Sequence, residues 1–240
     1  MTRLNCAIKS IDYYNSDTRR IFLEIPENKE IEFKAGQYLE MILPNRKCPF
    51  SIANSPDLKD VIELHVRPTP NSEDSVDIEN LLDSGVTHIE VEVPKGDCFF
   101  EEQPDNPFIL IAASTGVTQM KCIIEYFIPR DIKHPLYLYW GVLADTDLYL
   151  HDLFSDWEKA HTNFHYTPVI SEPDTSPDWT GRTGLVGNAV LEDIDDLSDI
   201  SVLISGGPAM VYATLDSFME RGMPEERIFS DIFSIAPRSN

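Results

Sequence analysis

Three short stretches of the sequence hold residue types suited to ligand chemistry. The first is "CPFSIANS", residues 48–55. Pro49 fixes φ and has no N–H to donate, which suits an edge strand. Phe50 offers a flat apolar face, and Ser51 offers one hydroxyl that can donate or accept. Side chains alternate along a strand, so Phe50 and Ser51 both meet one ligand only through a twist or through the backbone of one of them. A plain edge strand with a core phenylalanine would be written in the same letters. The second and third stretches are "AASTGVT", residues 112–118, and "SGGPAM", residues 205–210. Small residues and Gly116 admit a ligand close to the backbone, and the helix that follows presents free N–H groups suited to a phosphate. Either loop alone is also what a tight strand-to-helix turn demands. Together, on the first and a later strand of one sheet, they fit a dinucleotide better.

Other chemistries find little support. The cysteines are Cys6, Cys48, Cys98 and Cys122, with no C-x2-C or C-x4-C-x2-C spacing, so neither a thiolate zinc site nor an iron–sulfur cluster is expected. His161 and His165 are four apart, but the second falls in a predicted strand, so the helix-face spacing of a metal pair fails and no metal site is expected. No Ser-His-Asp arrangement stands out. The net charge of -22 and a pI near 4.4 argue against nucleic acid and anionic membrane as partners. That acidity supplies solubility, or a docking face for a basic protein. Scattered thiols suggest a reducing compartment, and there is no long apolar run, so a cytoplasmic location is expected.

The elements that must position these stretches fall into two rhythms. Residues 1 to about 98 alternate with period two, in short runs punctuated by Pro, Gly, Asn and Asp. Six or so strands in that length suggest a small antiparallel barrel or sandwich, with "DIENLLDSG" as its one short helix. "FFEEQPDNP", residues 99–107, reads as a linker. "FILIAAS" is then a continuous apolar run, as a strand buried on both faces should be. Val117, Met120, Ile123, Ile124 and Phe127 follow at helical spacing, closed by Pro129. "LYLYWG", "FHYTPVI", "ISVLISGG" and "RIFSDIFSI" read as further strands, separated by the helices "DLYLHDLFSDWEKA", "GLVGNAVLED" and "AMVYATLDSFMERG". The expected fold is thus a β-barrel over residues 1–100 followed by a doubly wound parallel α/β domain over 101–240.

In order and over nearly its whole length, the chain resembles the NAD(P)H:flavin oxidoreductases of the ferredoxin–NADP reductase superfamily. It is most similar to the short bacterial flavin reductases without an iron–sulfur domain. "FKAGQYLEM" resembles the family's F-x-A-G-Q-Y strand, and "CPFSIANSP" its flavin strand R-P-F/Y-S-x-A-S. "IELHVRP" matches the strand along the flavin, "LIAASTGVTQM" the L-I-A-G-G-T-G loop, and "YWGVLADTDLY" the Y-W-G-x-R-x-x-x-D-L-Y segment. "WTGRTGLV" and "SGGPAM" match two later motifs. The resemblance implies a Greek-key flavin-binding barrel and a nicotinamide-binding domain, with hydride passing from nicotinamide C4 to flavin N5. By the same pattern Ser51 meets the flavin near N5, in a strand with Pro49 and Phe50, and His65, Val66 and Arg67 line the flavin. Ser114, Thr115, Gly116 and Gly206 meet the dinucleotide. Ser205 lies beside the nicotinamide, and Asp231 and Phe233 close to the rings, so Ser51, Ser205 and Asp231 are the expected catalytic residues.

The departures from the pattern carry expectations of their own. Cys48 stands where the motif has an arginine, and a thiol supplies neither its charge nor its forked donors. Arg46, two residues back, and Arg67 are candidate substitutes. No G-G-x-x-S segment occurs near "PTPNSEDSVD", Ala113 and Ser114 replace two glycines, and Leu143 replaces an arginine. The expected activity is an NAD(P)H-dependent flavin reductase with FAD, FMN or riboflavin bound weakly or diffusing, and NADH favoured over NADPH. The alternatives are an FAD-containing reductase component serving an acceptor protein or monooxygenase, and a degenerate flavin- or nucleotide-binding module without turnover.

Overall fold

The computed structural model describes residues 1–238. The chain divides into two units. Met1–Glu101 and Lys121–Tyr126 form the first, and Glu102–Met120 with the chain from Phe127 onward form the second.

In the first unit, the alternating runs become β1 (Thr2–Tyr13), β2 (Arg19–Glu24), β3 (Tyr38–Ile42), β4 (Lys47–Ser51), β5 (Val61–Val66) and β6 (His88–Lys95). They form one antiparallel sheet in the order β4-β3-β6-β1-β2-β5, with β6 returning between β3 and β1 as in a Greek key. A bulge between Ile8 and Ser10 bends β1. Inward residues such as Leu4, Cys6, Ile21, Leu23, Leu39, Met41, Ile62, Leu64, Val91 and Val93 are buried. Helix α1 (Glu73–Asp83) is capped by Ser72, whose hydroxyl accepts from the Ser75 N–H.

Against the alternation rule, Glu63 and His65 of β5 are also buried, at 2 % and 3 % exposure. A buried charge has to be answered. Arg20 Nε lies 2.7 Å and Lys121 Nζ 3.0 Å from the Glu63 carboxylate, and Tyr14 Oη donates to it over 3.1 Å. Burial alone would push the Glu63 carboxyl up. The His65 hydrogen bond and the Lys121 and Arg20 charges outweigh burial and hold it well below the usual carboxylate range. Burial drives the His65 imidazole towards its neutral form, and because a carboxylate only accepts, Nε2 carries the proton over the 3.1 Å to Glu63. Lys121 also donates to the Ala53 carbonyl at 3.2 Å and pairs with Glu125 at 2.8 Å. The Asn54 side chain accepts from the Glu63 N–H at 2.7 Å and donates to the Val61 carbonyl. Cys122 Sγ donates to the Asn54 carbonyl at 3.1 Å. The segment that follows Ser51 is therefore fixed from both sides by a polar cluster.

In the second unit, strand and helix alternate: β7 (Phe108–Ala113), α2 (Val117–Phe127, whose middle is counted in the first unit), β8 (Leu136–Val142), α3 (His151–Ala160), β9 (Phe164–Ile170), β10 (Arg182–Thr183), α4 (Val186–Asp193), β11 (Ser201–Ser205), α5 (Pro208–Glu220), β12 (Ile228–Phe229) and α6 (Ile232–Ile235). All strands run parallel, in the order β10-β9-β8-β7-β11-β12. The chain leaves β7 in one direction and returns to its other side at β11, so the loops after β7 and β11 part at a topological switch point. The expectation of a final strand over "RIFSDIFSI" is corrected: the strand ends at Phe229 and a short helix follows. With apolar residues at 228, 229, 232, 233 and 235, the sequence satisfies a strand and a helical turn about equally. No described helix is long and apolar enough to cross a membrane.

The Glu63 cluster makes a prediction about stability. A carboxylate whose folded pKa is depressed contributes stability above its unfolded pKa of about 4.3 and loses it as pH falls. Thermal melts should show wild type losing more stability than Glu63→Gln between about pH 6 and about pH 3. At neutral pH the variant should be destabilised by about 3–5 kcal/mol, because Lys121 and Arg20 lose a buried partner. Parallel pH profiles for the two proteins would refute this account.

Candidate functional site

In the first unit, the predicted residues lie along β4 and just before it, and at the end of β5 and just after it. β4 is an edge strand paired to β3 with Tyr38 opposite Ser51, Leu39 opposite Phe50 and Met41 opposite Cys48. Pro49, lacking an N–H, is exposed, while Phe50 and Ser51 are half-buried. Cys48 is 3 % exposed and faces the core. Burial pushes its thiol up, so it is a small apolar packing group rather than a thiolate.

Neither proposed substitute cation is uncommitted. Arg46 Nη1 pairs with Asp74, and its Nη2 lies 3.4 Å from Asp77 and 3.7 Å from Glu73, all in the first turns of α1. Arg67 pairs with Asp17 at 2.8 Å. The His65 imidazole is fully enclosed, so it can serve a ligand only through its backbone; Val66 is likewise buried.

In the second unit, the predicted residues converge on the carboxyl edge of the parallel sheet. Ser114–Gly116 form a single 3-10 turn leading into α2. β7 and β11 are neighbours, with Ala112 opposite Ser205. A Cβ on Gly116 would fall inside van der Waals contact of the Ser205 carbonyl oxygen and 2.7 Å from its carbon. A Cβ on Gly206 would collide with Met210 and sit 3.0 Å from the Ala113 Cβ. At 116 only glycine lets the two backbones approach, whereas at 206 the neighbour is the movable end of the Met210 side chain. Thr115 is held in the same turn. Ser114 adopts a φ of 50°, a left-handed conformation that costs a non-glycine residue about 1–2 kcal/mol. The Trp140 indole donates to its carbonyl at 2.9 Å and helps hold it there.

β11 and β12 pair with Leu203 opposite Phe229, and the chain leaves β12 through Ser230 and Asp231, which opens α6. Gln119 Nε2 donates to Asp231 Oδ2 at 2.9 Å. Phe233 packs on Tyr212, with ring centroids 5.8 Å apart. Beside the loops lies a cavity of about 410 Å³, lined among others by Ala113, Ser114, Leu143, Leu185, Met210 and Thr214, with no charged residue in its wall. Its small, apolar lining and the glycine cradle fit a dinucleotide.

The structure thus unites Ser114, Thr115, Gly116, Ser205, Gly206, Asp231 and Phe233 in one unit, and Pro49, Phe50, Ser51, Val66 and Arg67 in the other. Sequence reading missed Glu63, Lys121 and Gln119. Period-two alternation reads Glu63 as solvated, and the apolar stripe of α2 leaves Gln119 and Lys121 outside it. Among the described residues, no group of His, Cys, Asp and Glu is placed to hold a metal.

Residues 5–100 match the oxidoreductase FAD-binding domain family, and residues 110–216 the oxidoreductase NAD-binding domain family. The fold and these matches define an oxidoreductase that joins an FAD-binding to an NAD-binding part. The NAD(P)H-flavin reductase of Aliivibrio fischeri is 33 % identical over 237 residues, covering 96 % of this chain and 98 % of the relative. The CDP-6-deoxy-L-threo-D-glycero-4-hexulose-3-dehydrase reductase of Yersinia pestis is 36 % identical over 228 residues, covering 95 % of this chain and 68 % of the relative. The crystal structure of an Amycolatopsis cytochrome P450 reductase superposes with a TM-score of 0.85 at 30 % identity, covering 96 % of this chain and 69 % of that one. The chain belongs to the NAD(P)H:flavin oxidoreductases of the ferredoxin–NADP reductase superfamily.

The cradle predicts an asymmetry between two neighbouring positions. Gly116→Ala should cost about 3 kcal/mol or more, since its Cβ meets rigid backbone. Ser114→Gly should stay within about 1 kcal/mol of wild type, because relief of the left-handed strain offsets the added unfolded-state entropy. Denaturant melts of both variants check this; equal effects would refute it.

Proposed function

We propose that the protein is an NAD(P)H-dependent flavin reductase, with NADH the preferred donor and the flavin weakly held or diffusible. The observation that carries this reading is the Gly116–Ser205–Gly206 cradle at the carboxyl edge of the parallel sheet. When bound, the flavin accepts at N5 the hydride released by nicotinamide C4. The protein's share is to bind and orient. In this reading the Ser51 hydroxyl holds the reactive edge of the flavin, Phe50 packs on it, and the Val66–Arg67 backbone supports its length. Ser114, Thr115 and Gly116 offer backbone N–H groups to the pyrophosphate, and the start of α2 adds its dipole. Ser205 and Asp231 stand beside the nicotinamide, with Phe233 near them.

The donor preference follows from charge. The cavity wall has no lysine or arginine, and Arg182, just before it in sequence, is committed to Asp193 at 2.8 Å and Glu192 at 2.9 Å. A 2′-phosphate would find no fork of donors there. On the flavin side, the acids of α1 surround Arg46, which favours riboflavin over phosphorylated flavins. A second reading, an FAD-bearing reductase component for an acceptor protein or monooxygenase, is supported by the Yersinia and Amycolatopsis relatives. Either activity would operate in the reducing cytoplasm, consistent with four cysteines outside any disulfide.

Anaerobic oxidation of NADH and NADPH against riboflavin, FMN and FAD tests this directly. NADH should exceed NADPH in kcat/KM by about tenfold or more, and Ser51→Ala should lower kcat by about tenfold to a hundredfold. Flavin that survives desalting would favour the second reading. NADH oxidation that no added flavin accelerates would overturn both.

A further inference from the structure

We infer that Gln119 is a positioning residue, fixing the Asp231 carboxylate at the nicotinamide side of the site. The inference rests on the proposed placement of Asp231 and goes beyond it, because nothing in the motif pattern gives position 119 a role.

Gln119 is 2 % exposed, on a helix whose buried stripe is otherwise largely apolar. A carboxamide is costly to bury unless its polar atoms are used. Its Nε2 is spent on Asp231 Oδ2 at 2.9 Å, a bond reaching 112 residues along the chain. It stands three residues after Gly116, and Gly116 packs on the Ser205 carbonyl. Asp231 follows β12, whose Phe229 pairs with Leu203 of β11, the strand that Ser205 ends. The bond thus links the segment after β12 to the helix that opens from the loop after β7.

The chemistry gives that link a purpose. When hydride leaves C4 with its electron pair, the neutral dihydronicotinamide ring becomes a pyridinium cation, and the hydride's acceptor is the flavin named above. A carboxylate held beside the ring favours the charge that develops on the way to that cation, provided its oxygens are already oriented. A carboxamide donor fixes the orientation without bringing a charge of its own, whereas a lysine or arginine there would cancel the field. Gln119 therefore acts on the rate through Asp231, and not on the affinity for the dinucleotide.

The test is a double-mutant cycle on the full chain, reading kcat, KM for NADH, and thermal stability for Gln119→Leu, Asp231→Asn and the pair. Gln119→Leu should lower kcat about tenfold while leaving KM for NADH within about twofold, at temperatures where the variant is fully folded. In the Asp231→Asn background the same change should alter kcat by less than about twofold, because the group it orients has lost its charge. Gln119→Glu, nearly isosteric but lacking the donor when ionised, should lower kcat at least as far as Gln119→Leu. Wild-type kcat in Gln119→Leu, or a loss that only tracks unfolding or KM, overturns the inference and leaves the proposed function standing. Equal losses from Gln119→Leu in both backgrounds also overturn it. Full activity in Asp231→Asn removes both the role of Asp231 and this inference. No flavin-dependent NADH oxidation by wild type removes the proposed function together with it.

Discussion

The contact between residue 116 and the Ser205 carbonyl is the constraint around which the parallel sheet's working edge is built. The loops after β7 and β11 diverge at the switch point, and a crevice forms there only if their backbones first come close at the base. Glycine at 116 allows that approach, and glycine at 206 keeps the second loop clear of Met210 and Ala113. The 3-10 turn follows from the same demand. Ser114 takes a left-handed conformation because the chain must rise off β7 and enter α2 within three residues. Trp140, itself fully buried, braces that turn through its indole N–H. Strain of this kind persists where the surroundings over-determine the backbone.

The antiparallel unit solves a different problem with charge. The segment after Ser51 leaves the sheet edge and must be held without a ladder of its own. Glu63 provides the anchor: its backbone N–H and carbonyl meet Asn54 and Ala53, and its carboxylate gathers Arg20, Lys121, Tyr14 and His65. Apolar packing of equal volume could stabilise the region as well. What the polar cluster adds is direction, since each hydrogen bond fixes an angle as well as a distance. The backbone just after half-buried Ser51 is thereby tied at Ala53 and Asn54 to a group in the next strand.

How much of this was legible in the sequence depends on which physical signal carries each feature. The change from alternating to continuous apolar runs near residue 107 marks the change from one-face to two-face burial, and both sheets follow it. The glycine loops were visible as composition, but the reason for them is a through-space contact between residues 116 and 205, which no local pattern encodes. Burial of Glu63, His65, Gln119 and Lys121 was illegible for the same reason. Each sits at a position whose local rhythm reads polar-outward, and each is covered by an element distant in the chain. Cys48 is the instructive middle case. Its departure from the motif was plain, yet only the fold shows that Cys48 is buried and packs, and that Arg46 pairs with the acids of α1.

The distribution of charge connects these local results. Arg3, Arg19, Arg20, Arg46, Arg67, Arg182, Arg227 and Arg238 each have a carboxylate partner. The exposed pairs among them, such as Arg3–Glu90 and Arg238–Asp216, are weak and would exchange partners for a phosphate readily if local charge were the whole account. The field of a chain with net charge -22 opposes that exchange, because each added phosphate enters an already negative surrounding. Phosphate recognition on such a surface falls to backbone N–H groups, whose dipoles act at short range and need no cationic side chain. In the proposed reading, the glycine cradle at the start of α2 is that kind of site. A site built from backbone amides brings no forked cation to a second phosphate, which is the ground for the proposed preference for NADH.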